Sequence, residues 1–246
     1  FHTVDFGSFV SHKAIPQLKD SAIVIEALEP SKTELLAIVA NERGANDAAA
    51  FDRIDYLGYP FSVSEQFQKK NTNATIDESF SRVEKVKEIA DKSNKGLVLY
   101  LSMGFGNPYG EIWSPDLVTS WCEKLHSKLN IKVMAISDTI GAADLEIVKS
   151  LFETLIPSLP AAEFGAHLHV VPQKAEELIE SAYYAGCRRF DGAIRGFGGC
   201  PMAKDTLTGN MPTEKMLEWF EKNSIESGID KSAFEIALKN ADTVFP

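Results

Sequence analysis

In the segment Gly165-Ala166-His167-Leu168-His169-Val170, two histidines stand two positions apart in a run that reads as a β-strand. Side chains at i and i+2 of a strand project to the same side, so the two imidazoles stand next to each other. Two imidazoles fixed side by side at the C-terminal end of a strand supply half of a divalent-metal site. A competing reading of a bare His-x-His is a pair of strand histidines satisfied by local hydrogen bonds. The next strand runs into Gly196-Phe197-Gly198-Gly199-Cys200-Pro201, with Gly209-Asn210 close behind. This places a thiol and an amide oxygen on the adjacent loop.

The elements that must position these groups alternate along the chain. Strands are expected at Thr3–Val10, Leu35–Ala40, Arg53–Leu57, Gly96–Ser102, Ile131–Ser137, Glu163–His169 and Arg189–Ile194. Several are nearly continuous apolar runs, such as Leu97-Val98-Leu99-Tyr100-Leu101, as parallel strands buried on both faces require. Amphipathic helices are expected at Gln17–Leu28, Asp47–Phe51, Thr75–Lys92, Pro115–Leu129, Asp144–Leu155 and Gln173–Ala185, and then at Thr213–Asn223 and Lys231–Asn240. Ser114-Pro115 and Thr75-Ile76-Asp77-Glu78 carry the hydroxyl cap and early acids of helix starts. Strand–helix alternation with right-handed crossovers implies a parallel sheet, and no linker or low-complexity tract interrupts it. The expected fold is therefore α/β, a TIM (β/α)8-type barrel forming one catalytic domain over residues 1–246. A closed barrel takes eight strands and seven are found, so the first βα unit is expected to be missing upstream of Phe1. An open seven-stranded sheet is the alternative.

Composition agrees with one well-cored domain: 246 residues, 44% hydrophobic, with 25 Lys and Arg against 35 Asp and Glu. A net charge of −10 disfavours nucleic acid or an anionic membrane as main partner, and no run of about 18 apolar residues offers a membrane span. Cys122, Cys187 and Cys200 show neither metal-finger nor disulfide-framework spacing, so a reduced intracellular compartment is expected.

Several motifs together resemble 3-hydroxy-3-methylglutaryl-CoA lyase, in the right order over essentially the whole chain. They are Asp5-Phe6-Gly7-Ser8-Phe9-Val10-Ser11 with Ile15-Pro16-Gln17, Ser64-Glu65-Gln66-Phe67 with Lys69-Lys70-Asn71, and Asn107-Pro108-Tyr109-Gly110. Ser137-Asp138-Thr139-Ile140-Gly141, the His-x-His, and Gly198-Gly199-Cys200-Pro201 with Gly209-Asn210 follow. The Gly-Gly-Cys-Pro loop is the most specific element. The Ser-Asp-Thr-Ile-Gly and His-x-His elements are shared with isopropylmalate, homocitrate and citramalate synthases.

The resemblance implies a metal-dependent retro-Claisen cleavage of 3-hydroxy-3-methylglutaryl-CoA to acetyl-CoA and acetoacetate, the chemistry of leucine degradation and ketone-body metabolism. It implies Mg2+ or Mn2+ held by His167, His169 and Asn210, a mixed nitrogen–oxygen set without thiolate, where a structural zinc site would want more thiolate. His167 is also the implied proton shuttle and Cys200 the implied proton-transfer thiol, on a loop whose glycines keep it accessible. A small residue packed in a Gly-rich turn is the other reading of Cys200. Asp5 stands where the family has a catalytic glutamate, one methylene shorter. Asp138 joins the implied catalytic set, although a helix N-cap is the equal alternative there. Ser8, Asn41, Asn107, Lys69, Lys70 and Gly199 are the implied substrate-binding positions, the lysine pair meeting CoA phosphates or simply forming a solvated face.

Departures qualify the match. The lyase's first strand ends in an Arg-Asp pair, a transition-state stabiliser and a metal ligand, and neither has a counterpart here. The residue after His-x-His, aspartate in the family, is Val170; a cysteine before Pro-Tyr is Asn107; and the segment from Cys200 to Asn210 is one residue longer. Without the first unit the chain is expected to be inactive. The implied setting is a homodimer acting on an acyl-CoA, in a bacterial-type cytoplasm or, with a leader outside the chain, in mitochondria. A Claisen-type synthase on the same barrel and a degenerate, non-catalytic barrel are the alternatives.

Overall fold

The computed structural model describes residues 1–13, 15–199 and 208–245. The chain packs as two compact units, residues 1–102 with 120–135, and residues 103–119 with 136–246.

In the first unit, strands β1 (Thr3–Ser8), β2 (Glu34–Ile38), β3 (Tyr56–Ser62) and β4 (Gly96–Ser102) pair in sequence order, all parallel. Their crossovers carry helices α1 (Ser21–Ala27), α2 (Glu42–Ala49), α3 (Glu65–Thr72) and α4 (Ile76–Lys92). The core takes the apolar strand residues, with Leu36, Leu57, Tyr59, Phe61 and Leu99 all at most 1% exposed. Thr75 and Glu78 close a reciprocal capping box at the start of α4.

Strand β3 lies further along the chain than the expected Arg53–Leu57. Gly58 and Pro60 look like turn residues, yet both belong to the strand for packing reasons. A Cβ on Gly58 would stand 2.6 Å from Ile38 Cδ1, so only glycine lets the strands close. Pairing with β2 stops at Gly58, and by strand alternation the Pro60 nitrogen faces the side beyond that stop, where no N–H is required.

Helix α2 occupies Glu42–Ala49 rather than Asp47–Phe51, because Asn41 caps it by accepting from Gly44 N at 2.9 Å. Helix α3 was not anticipated. Its sequence, Glu-Gln-Phe-Gln-Lys-Lys-Asn-Thr, has little apolar periodicity, and Ser64 starts it by accepting from Phe67 N at 3.1 Å.

The second unit holds β6 (Glu163–Val170), β7 (Arg189–Asp191) and β8 (Gly209–Asn210), with helices α6 (Leu145–Ser158), α7 (Ala175–Tyr184), α8 (Thr213–Lys222) and α9 (Lys231–Val244). Helix α5 (Pro115–Leu129) and strand β5 (Val133–Asp138) lie at the division between the units. Strand β7 runs parallel to β6, while β8 is a two-residue arm antiparallel to the end of β6. Thus β1–β7 follow the expected strand–helix alternation and β8 is an addition to it. This is the α/β, TIM-barrel class. Strand β7 ends before the expected Ile194, since Gly192 leads into a tight turn at Ile194–Gly196. Among the described residues, no helix is long and apolar enough to cross a membrane.

Candidate active site

His167 and His169 occupy the C-terminal end of β6 with ring centroids 5.7 Å apart. His167 is paired in register with Asp191 on β7, and its Nδ1 lies 3.2 Å from Asp191 Oδ2. His169 is paired in register with Asn210 on β8. It is 7% exposed, and its Nδ1 is buried without a hydrogen-bond partner among the described residues. Burial pushes the His169 imidazole down to about 4, and the neighbouring His167 adds to this; the Thr139 backbone and the Asn210 side chain pull weakly the other way. At neutral pH the ring is therefore uncharged, so one of its ring nitrogens carries a lone pair.

The Asn210 amide is oriented as well. Its Nδ2 donates to the Phe197 carbonyl at 2.8 Å, which leaves Oδ1 as the ligand atom. Two imidazoles and an amide oxygen fit a divalent cation, and an orphaned buried nitrogen is what such an ion would satisfy. Among the described residues no group of three or more His, Cys, Asp or Glu side chains gathers as ligands.

Asp191 was not anticipated. Val170 stands where the resembled family has an aspartate, and a carboxylate lies beside His167 from the adjacent strand. The expected strand ran on to Ile194 and put Asp191 in its middle; only the shorter β7 places it at the C-terminal end, where active sites of this fold lie.

Asp138 ends β5 and is 1% exposed. Its two carboxylate oxygens accept from Ala142 N at 2.8 Å and Ala143 N at 2.9 Å. Burial pushes this carboxyl up, against the backbone donors that pull it down. The side chain thus shapes the turn after β5, and the cap of α6 is Asp144. Within that turn, Thr139 Oγ1 accepts from Met103 N at 3.1 Å. Asn107 organises its own turn, accepting from Tyr109 N at 3.0 Å and Glu111 N at 3.1 Å. Gly199 has φ +138°, where a side chain is strained, and an added Cβ would meet the Thr208 carbonyl at 3.2 Å. Cys200 lies outside the described residues.

In the first unit, Asp5, Ser8, Asn41 and Lys70 share one cavity of about 810 Å3. Arg82 lines it too, its Nη1 donating to the Thr72 carbonyl at 3.1 Å. Ser8 is buried and its Oγ accepts from Val10 N at 3.3 Å, while Asp5 Oδ1 accepts from Gly7 N at 3.3 Å. Lys69 is turned to Glu65, 3.0 Å away along the same helix.

The chain matches the HMGL-like family over residues 15–239. It belongs to that family. The hydroxymethylglutaryl-CoA lyase YngG of Bacillus subtilis is 31% identical over 227 residues, spanning 92% of this chain and 75% of that protein. The crystal structure of the HMG-CoA lyase from Brucella melitensis superposes with a TM-score of 0.91 at 29% identity, covering 99% of this chain and 86% of that one. An HMG-CoA lyase from Acenitobacter baumannii, solved in complex with coenzyme A and 3-methylmalate, has a TM-score of 0.85 at 29% identity, covering 95% and 75%. Carboxyl transferase domains of Rhizobium etli pyruvate carboxylase share the fold, with a TM-score of 0.64 at 14% identity.

Proposed function

We propose that this chain carries the divalent-cation-dependent cleavage of 3-hydroxy-3-methylglutaryl-CoA to acetyl-CoA and acetoacetate. The observation that carries the reading is the seat itself: His167 and His169 side by side, with Asn210 in register opposite a buried, neutral His169. Kinship with lyases named for this substrate, one of them solved with coenzyme A, supports an acyl-CoA as the ligand.

A bound Mg2+ or Mn2+ would act there as a Lewis acid on the substrate's oxygen atoms, acidifying its tertiary hydroxyl. His167, steadied by Asp191, takes the hydroxyl proton. The carbon–carbon bond then breaks, acetoacetate departs, and the electron pair stays on the acetyl-CoA enolate. Cys200 returns a proton to the enolate carbon, a role that rests on its match to the family's loop cysteine. The first-unit cavity, with Lys70 and Arg82 on its wall, suits an anionic acyl-CoA.

The test is an assay of the protein as its gene encodes it, with any sequence that precedes Phe1. Acetoacetate should form from 3-hydroxy-3-methylglutaryl-CoA with Mg2+ or Mn2+, stop with EDTA, and slow by about 10²–10⁴-fold in Cys200→Ala while Mn2+ affinity stays unchanged. Release of free CoA from acetyl-CoA and a 2-keto acid, without any cleavage, would establish a synthase instead.

A further inference from the structure

The turn Ile194–Gly196 contains a backbone conformation that needs explaining. Arg195 has φ 59° and ψ 10°, a left-handed geometry that a residue other than glycine holds only when its surroundings enforce it. Three contacts do so. The Arg195 amide donates to Glu214 Oε2 at 3.0 Å, from the first turn of α8. The guanidinium grips Asp242 with both prongs, Nε to Oδ1 at 2.9 Å and Nη2 to Oδ2 at 2.8 Å, near the end of α9. Two residues on, the Phe197 ring lies 4.6 Å from that of Phe245, which follows α9 directly.

The turn so clasped touches the cation seat. The Phe197 carbonyl is the acceptor that orients the Asn210 amide. There is little slack between them: a Cβ on Gly198 would stand 2.8 Å from Asn210 Nδ2, and one on Gly196 would stand 2.7 Å from the Asn210 carbonyl oxygen. The side chains of Arg195 and Asp242 are 39% and 49% exposed, so their pair adds little to global stability. What a two-pronged guanidinium–carboxylate contact does supply is direction.

We propose that Arg195 is a positioning residue: by clasping the end of α9 it holds the Ile194–Gly199 turn, and through the Phe197 carbonyl it presents the Asn210 side-chain oxygen to the cation. This rests on the cation seat proposed above. A direct partner of a metal ligand is worth about 10–100-fold in metal affinity, and Arg195 acts one link further out, so a loss of about 3–10-fold is expected.

The test compares Arg195→Ala, Asp242→Asn and the exchange pair Arg195→Asp with Asp242→Arg, in the protein as its gene encodes it. Mn2+ affinity is read by calorimetry or by the electron paramagnetic resonance of free Mn2+, amide exchange is followed at 209–211, and melting temperature reports folding. Both single variants should bind Mn2+ about 3–10-fold more weakly and exchange faster at 209–211. Their melting temperature should be unmoved. The exchange pair should recover part of the affinity, because opposite charges meet again and aspartate visits left-handed backbone readily, while the new carboxylate stands against Glu214, which Arg195 faces at 3.9 Å. Unchanged Mn2+ affinity in both singles, in a wild type that binds Mn2+ and cleaves substrate, overturns the clasp alone. A wild type that binds Mn2+ but does not cleave retires the activity and leaves the affinity comparison to decide the clasp. A wild type that binds no Mn2+ removes the seat and the clasp together.

Discussion

Replacing His169 by phenylalanine separates the seat's chemistry from its packing. The aromatic ring keeps most of the buried volume, while the titrating group and its orphaned Nδ1 are removed. In the folded chain His169 is held down to about 4, whereas an unfolded histidine titrates near 6.5. Between these values the unfolded state binds a proton that the folded state refuses. The His169 contribution is therefore intact above about pH 6.5 and is lost as pH falls toward 4. Over that whole span the loss is about 3 kcal/mol, of which about 2 kcal/mol falls between pH 7 and pH 5. The assay is urea unfolding of both proteins in EDTA at pH 7 and pH 5. Carboxylate contributions are common to both and cancel, so wild type should lose about 2 kcal/mol more than His169→Phe on acidification. At pH 7, wild type should gain stability from added Mn2+ while the variant does not. An equal acid loss in the two proteins would show that His169 is not held neutral by the fold, and the account of an available lone pair would fall with it.

Two further outcomes are expected. Asp191→Asn should leave melting temperature nearly unchanged but weaken Mn2+ binding by about 10–100-fold, measured by calorimetry, because the group 3.2 Å from His167 Nδ1 loses its charge. Gly44→Ala should destabilise the protein by about 1–3 kcal/mol in urea titrations, since its Cβ would meet the Phe9 carbonyl oxygen at 2.2 Å and the backbone must shift to admit it.

Features written in short-range pattern were legible. Strand β4 and helix α5 have the bounds their apolar runs and cap residues announce, and the His-x-His pair faces one way because strand alternation is local. What escaped depends on partners far away in the chain. Asp191 meets His167 only through the register of β6 and β7, and no local pattern encodes a register between strands 24 residues apart. Helix α3 escaped because its inward groups include Gln68, whose Oε1 accepts from Ser62 N at 2.7 Å; a buried amide gives no apolar signal. The left-handed Arg195 was invisible for a like reason, since its conformation is imposed by Asp242 and Glu214 rather than by its own type.

The short antiparallel arm β8 has a consequence for how this protein can vary. Asn210 reaches its place because the backbone of Gly209-Asn210 pairs with His169-Val170, and Met211 N then donates to the Leu168 carbonyl at 2.9 Å. A ladder, rather than the span of chain leading up to it, specifies which residue faces the histidine. The pairing of the arm is what fixes the amide: a one-residue slip of it would turn Asn210 to the opposite face.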